Sequence, residues 1–282
     1  MKAFLHKLFL SLPCIALINA CNVINPAEDV PSYIQVDSVG VYTDETTQGS
    51  SSSKMADFWV TVDGQFLCGY PLGSKVPVLF NGNHTVSLRG GILLNGIENT
   101  RVPYAVFKTF DTLVNLVPGA VNHIVPRVTY FPATEFPLLE SFDNNTIQFT
   151  TPSNSAPMTV EPGSFEGNGG LVVLNDDKPY FECTTIDSFD LPGGLAPTYV
   201  EINYKCDTEF LVGVKCLTTL GPLDFPLLNV RSSAEWNKIY VNLTPIASQT
   251  QHAQDWRIYF KASRQSGYST NTLRFDNIKL VF

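Results

Sequence analysis

The chain has 282 residues, of which 44% are apolar, and it carries 18 Lys and Arg against 26 Asp and Glu for a formal charge of −8. An acidic, cation-poor chain is a poor match for nucleic acid, whose phosphates need cationic contacts, and it is not a polybasic membrane binder. The length allows two modest domains with cores of their own.

Taken in chain order, residues 1–20 read as an export signal. Lys2 and Lys7 supply positive charge, and residues 9–18 form an apolar run. That run is shorter than the ~20 residues of a spanning helix. Ile18-Asn19-Ala20-Cys21 closes it with a small residue directly before a cysteine. This layout resembles a bacterial lipoprotein signal. The resemblance implies cleavage after Ala20, diacylation of the Cys21 thiol and acylation of the new N-terminus. Cys14 is the competing position, but Pro13 stands where a small residue is expected. Loss of Lys2 and Lys7 takes the formal charge from −8 to −10. Each buried CH₂ adds about 0.8 kcal/mol of membrane affinity, so acyl chains on one cysteine would hold the protein stably. Past Cys21 no apolar run approaches a membrane span, which leaves the N-terminal acyl chains as the expected membrane contact.

Residues 21–31, with Pro26, Pro31, Glu28 and Asp29, read as a tether. Residues 32–132 then read as a small β-sandwich. Apolar and polar residues alternate over 33–41. A Gly/Ser loop covers 49–53. The run 58–62 leads into Asp63-Gly64, a strong hairpin signal. Further extended runs cover 65–68, 76–80, 84–88 and 121–131. Residues 131–137, bracketed by Pro132 and Pro137, read as a stiff boundary.

Residues 138–282 are β-rich again, with longer segments at 138–142, 146–151, 171–174, 179–186, 199–206, 210–217, 236–243, 255–262 and 272–282. That count matches a jelly roll. A Gly-rich stretch at 163–170 reads as a loop, and only 247–255 suggests a short helical turn. The fold class expected is therefore all-β: a small N-terminal β-sandwich followed by a jelly-roll β-sandwich.

Four cysteines remain after Cys21: Cys68, Cys183, Cys206 and Cys216. Residues 199–206 and 209–216 read as a hairpin turning at Asp207-Thr208. Cys206 and Cys216 then lie too far apart along the strands to bond. All four are read mainly as small core residues. Catalytic constellations are missing from the sequence. His84, His123 and His252 lie in separate segments without metal spacing, and no nucleophile-elbow pattern occurs. Gly167-Asn168-Gly169-Gly170 lacks a phosphate-binding lysine. Asp176-Asp177 reads as a solvated turn rather than a glycosidase pair. Trp59 and Trp236 read as core, while Trp256, after a Gln-rich turn, reads either as an exposed aromatic for stacking on a sugar or equally as the inward-facing start of a strand. Asp37-Ser38-Val39 and Asp111-Thr112-Leu113 match a short O-glycosylation pattern of low specificity.

Glu140 to Asp143, the strand at 199–204, Glu235-Trp236 leading to Leu243-Thr244, and 275–280 occur in an order that resembles galactose-binding-like jelly rolls, common as carbohydrate-binding modules. Residues 62–67 and 82–86 resemble the PEGA-like domains of Bacteroidota lipoproteins. Together with the lipobox, these resemblances imply an outer-membrane, lipid-anchored protein on the periplasmic face or the cell surface. They also imply a structural Ca²⁺ near the joined chain ends, where Asp143 and Asp276 fall at matching places and offer the oxygen ligands a hard cation takes. No cofactor is required by any motif.

The function expected from these residues is a non-catalytic scaffold or accessory subunit of an outer-membrane protein assembly. The alternative is a surface lipoprotein that binds polysaccharide through its jelly roll. The expected contacts are the membrane, through the acyl chains, and either an outer-membrane protein or a polysaccharide.

Overall fold

A computed structural model describes residues 28–282 apart from 145 and 251. Cys21 and the lipobox lie outside the described residues. The chain is all-β, with 21 strands and two short helices among the described residues. In the first half these are β1 (Ser32–Gln35), β2 (Gly40–Val41), α1 (Glu45–Gln48), β3 (Asp57–Val62), β4 (Gln65–Pro71), β5 (Lys75–Val78), β6 (Gly82–Leu93), β7 (Arg101–Pro103), β8 (Phe110–Leu116), β9 (Val121–His123) and β10 (Arg127–Val128). The second half holds β11 (Leu138–Glu140), β12 (Phe149–Thr150), β13 (Met158–Pro162), β14 (Asn168–Leu174), β15 (Tyr180–Thr185), β16 (Tyr199–Cys206), β17 (Phe210–Thr218), β18 (Gly221–Val230), β19 (Ser233–Asn242), α2 (Thr244–Gln249), β20 (Gln254–Ser263) and β21 (Asn271–Val281).

In the N-terminal sandwich, β4-β3-β6-β7, with β8 also on β6, faces the smaller sheets β5-β1-β9 and β10-β2. Strand β3 shows why: Phe58, Val60 and Val62 point inward and are buried, while Trp59 and Thr61 point out. The Asp63-Gly64 turn joins β3 to β4 with both residues at positive φ, 46° and 81°, the twist that suits a two-residue hairpin. The expected single strand over 33–41 is broken into β1 and β2, which pair in parallel with β9 and β10.

The jelly roll packs β13-β14-β21-β16-β19, joined by β11 on β21, against β12-β15-β20-β17-β18. Between the sheets lies one apolar core running from Leu138 to Leu280. Strand β21 carries one extra residue opposite Ile202, with Asn277 at φ 46°. This bulge moves the inward set from Leu273 and Phe275 to Ile278 and Leu280.

Several expectations are corrected. Strands β16 and β17 are not a hairpin: each lies in a different sheet, and Asp207-Thr208 crosses between them. Cys206 and Cys216 are free and buried, as is Cys183, whereas Cys68 is free and exposed on edge strand β4. Residues 168–170 belong to β14 rather than a loop, and the helical turn sits earlier, at Thr244–Gln249, where Pro245 suits the first turn. Strands β7, β8, β13 and β18 are additional. Pro222 and Pro226 mask β18 in the sequence, and as an edge strand it tolerates them.

The two halves pack closely. The outer side of the β21-β16-β19 sheet presents Tyr199, Tyr240 and Val281 to the N-terminal core. Residues Glu135 and Phe282 exchange backbone hydrogen bonds of 2.7 and 3.2 Å, which pins the boundary segment to the last strand. The Gly/Ser loop is docked: Lys279 Nζ donates to Ser50 O at 2.5 Å, and Ser52 Oγ bonds the Asn203 side chain. Buried at this interface, Glu201 lies 2.7 Å from Lys238 Nζ and accepts from the hydroxyls of Tyr104 and Tyr130.

Candidate functional site

The N-terminal sandwich packs on the outer side of β21, β16 and β19, whereas the outer side of β15-β20-β17-β18 contributes no residue to that core. Alternation sets the residues of that side. On β15, Phe181 and Cys183 enter the core while Tyr180 and Glu182 face out. On β20, Trp256, Ile258 and Phe260 enter the core, which turns Arg257, Tyr259 and Lys261 outward. Strand β17 contributes Gly213 and Lys215, and β18 contributes Asp224.

These side chains form one hydrogen-bonded array. Glu182 accepts from Lys215 Nζ at 2.9 Å and from the Tyr180 hydroxyl at 2.8 Å. Lys261 Nζ lies 3.6 Å from Glu182 and 3.8 Å from Asp224. Tyr259 sits at the centre, flat over Gly213, where a Cβ would fall 2.2 Å from its ring. The ammonium groups of Lys215 and Lys261 cover its ring at 5.0 and 4.6 Å, so it is only 1% exposed. Burial pushes the Glu182 carboxyl up, but the bonds from Lys215 and Tyr180 and the two lysine charges outweigh it and hold the group below its ordinary value. Burial and the Glu182 bond raise the Tyr180 phenol to about 12. A cleft of about 220 Å³ opens at one end of the array, lined by Tyr180, Leu211, Asn229 and Lys261. The array offers fixed donors and acceptors of both signs. Its central carboxylate, Glu182, is committed to Lys215 and Tyr180 rather than left free to move a proton.

The sequence-picked residues fall elsewhere. Trp256 is not an exposed platform: it is 2% exposed, at 6.4 Å from Phe225 in the jelly-roll core, because its strand places it on the inward face. Trp59 and Trp236 are not core residues. Trp59 lies half-buried on the outside of β3 over Gly69 and Gly91, and Trp236 packs 5.4 Å from Phe165 on the outside of β19. His84 is structural, with its ring 2.6 Å from Asp63 Oδ2 and 3.1 Å from Asn81 O. Asp176 pairs with Arg264 at 2.7 Å in an exposed turn.

Asp143, Glu140 and Glu166 line a cleft of about 560 Å³ at the junction with the Gly/Ser loop, and Asp276 lies fully buried beside it, close enough to feel the charges of Asp143 and Glu166. Asp276 accepts from the backbone N–H of Glu166 (3.0 Å) and Asn277 (2.7 Å), and Asp143 accepts from Asn168 N–H (2.8 Å). Burial, aided by the charges of Asp143 and Glu166, raises the Asp276 carboxyl to about 7. The oxygen chemistry suits Ca²⁺. Among the described residues, however, no three acidic, His or Cys side chains converge to hold a metal. A cation here would complete its ~6–8 oxygen ligands with main-chain carbonyls and water.

No family model matches the chain, and no curated protein matches it. Solved structures with some likeness include a carbohydrate-binding module described for promiscuous specificity within the β-sandwich superfamily (12% identity, 80% of this chain and 85% of that one, TM-score 0.38). Another is the CBM22-1 and GH10 modules of a Clostridium thermocellum xylanase, in complex with xylohexaose (16% identity, 52% of this chain, TM-score 0.40). There the match spans only 28% of the other polypeptide. A family 29 carbohydrate-binding module from Piromyces equi is a third (13% identity, 53% and 91%, TM-score 0.35). At TM-scores below 0.5 these likenesses carry no functional weight, and the jelly-roll assignment rests on strand order and register.

The residues on the outer side of β15-β20-β17-β18 were not singled out by sequence. Their signal is the outward half of each period-two strand, Tyr180 with Glu182 and Tyr259 with Lys261. The pattern marks them as one face without saying which sheet the N-terminal sandwich packs on.

Proposed function

We propose that the protein is a lipid-anchored, non-catalytic polysaccharide-binding protein of the outer membrane, and that this outer face of the jelly roll is its binding face. The carrying observation is the pre-organised array of Tyr180, Glu182, Lys215, Asp224, Tyr259 and Lys261 on the outer side of β15-β20-β17-β18. Two carboxylates and two ammonium groups balance in charge, and their fixed positions suit a neutral polyhydroxylated chain that both donates and accepts. This places the alternative reading of the sequence ahead of the scaffold role. Affinity electrophoresis of residues 22–282 through gels containing a panel of soluble polysaccharides tests it. Retardation by at least one polymer, weakened about tenfold in Glu182→Ala, supports the proposal. Unchanged mobility in every gel, or retardation indifferent to Glu182 and Lys261 substitutions, would sink it.

The Asp143–Asp276 cleft is proposed as the place for a structural Ca²⁺. Bound there, the ion would draw its carboxylate oxygens from Asp143 and Asp276 and tie the loop before β14 to the bulge in β21. A melting temperature that rises with CaCl₂ and falls with EDTA supports this, whereas one indifferent to both removes it.

A further inference from the structure

The end of the N-terminal sandwich where the described chain begins is built from three turns, and each exposes an apolar side chain. Gly119 N–H donates to Pro31 O at 2.8 Å, which fixes residues 28–31 beside the β8–β9 turn. Ser32 Oγ donates to Phe80 O at 3.1 Å, and the Phe80 ring lies 5.0 Å from His84. His84 in turn holds Asp63 of the β3–β4 turn. The four elements therefore form one pole. Val30 is 62% exposed there, Phe66 55%, Leu79 71% and Val117 46%. A groove of about 610 Å³ runs between Phe66, Tyr70, Pro77 and Leu79. Residues 28–31, 63–66, 79–83 and 117–120 contain no Lys or Arg.

Exposed aliphatic and aromatic tips gathered on adjacent turns need a cover. The covalent chain says what lies near. Cys21 is seven residues before Glu28, which at ~3.4 Å per residue is a reach of at most about 24 Å. We propose that this pole rests on the bilayer, with Val30, Phe66, Leu79 and Val117 inserted at the interface, so that the lipoprotein stands with its jelly roll directed away from the membrane. The inference rests on lipidation of Cys21. With no Lys or Arg, and with the carboxylates of Glu28, Asp29 and Asp63 beside the apolar tips, the contact suits neutral lipid rather than an anionic surface.

The lipidated full chain is reconstituted into phosphatidylcholine–phosphatidylethanolamine vesicles. Its hydrogen–deuterium exchange is compared with that of soluble Cys21→Ser protein, and flotation is scored separately. Co-flotation with exchange slowed about fivefold at residues 64–67, 79–83 and 117–120 supports the inference. The β17–β18 turn, where Leu220 is almost fully exposed, should be unchanged. A Phe66→Ser, Leu79→Ser, Val117→Ser variant should still float and lose the protection. Co-flotation without protection overturns the inference while leaving the anchor standing. Failure to float overturns both. Protection found only in native membranes also overturns it and assigns the pole to a protein partner.

Discussion

Tyr104, in the N-terminal sandwich, donates its hydroxyl to Glu201 Oε1 in the jelly roll at 2.7 Å, and both residues are fully buried. The same oxygen accepts from Tyr130 at 2.7 Å, while Oε2 faces Lys238. The junction between the two halves is thus closed by a buried carboxylate held by two phenols and an ammonium group. Burial pushes Glu201 up, but Lys238, Lys279 and the tyrosine bonds outweigh it and bring the carboxyl down to about 2.

Glu201→Ala leaves Lys238 buried without its partner and two phenols unpaired. The expected cost is about 3–5 kcal/mol, read by urea unfolding, with faster proteolysis at 131–137. Because the folded value lies below the unfolded one, this stabilisation is complete above about pH 4.5 and is lost as pH falls toward 2. Glu201→Gln should flatten that acid limb.

Asp276 has the opposite sign. Its folded value of about 7 lies above the ordinary 3.8, so without Ca²⁺ stability falls as pH rises from about 4 to 7, by on the order of 4 kcal/mol. Thermal melts in EDTA check this. Asp276→Asn should remove the decline, and Ca²⁺ should suppress it in the unaltered protein.

Gly213→Ala places a Cβ in the Tyr259 ring. Overpacking costs about 1–3 kcal/mol and tilts Tyr259 out from between the two lysines. Polysaccharide retardation should weaken at least as much as in Glu182→Ala, while circular dichroism at 20 °C stays native.

Trp256→Ala removes a buried indole from the core, and a loss of about 3–5 kcal/mol is expected in chemical unfolding. Where the variant remains folded, its mobility in polysaccharide gels should match that of the parent.

Thiol titration of residues 22–282 should find one fast-reacting group, Cys68, and four in denaturant. Burial raises the thiols of Cys183, Cys206 and Cys216, the second to about 11, which keeps them protonated and unreactive in the folded state.

Local chemistry made part of this legible. Alternation in residues 180–185 and 256–262 separates core from surface because strand side chains point to opposite faces. Asp63-Gly64 specifies its turn because both positions require positive φ. Asp143 and Asp276 are paired in the sequence only by the resemblance to galactose-binding-like jelly rolls, since they stand 133 positions apart. The failures share a different cause. Alternation tells that Trp236 and Ile239 face opposite ways, but not which side is solvent, and for Trp256 only its polar neighbours argued for the outer side.

What the sequence by itself determined is the all-β class, the turns, and the division of each strand into two faces, since these follow from backbone geometry and side-chain period within a few residues. The tertiary structure decided which sheet each strand joins, that β16 and β17 part company, and that one jelly-roll face is sealed by Tyr104, Tyr130 and the Gly/Ser loop while the other contributes no residue to the N-terminal core. Those outcomes depend on pairings between residues tens to hundreds of positions apart, where burial is settled by what packs opposite rather than by the residue's own neighbours.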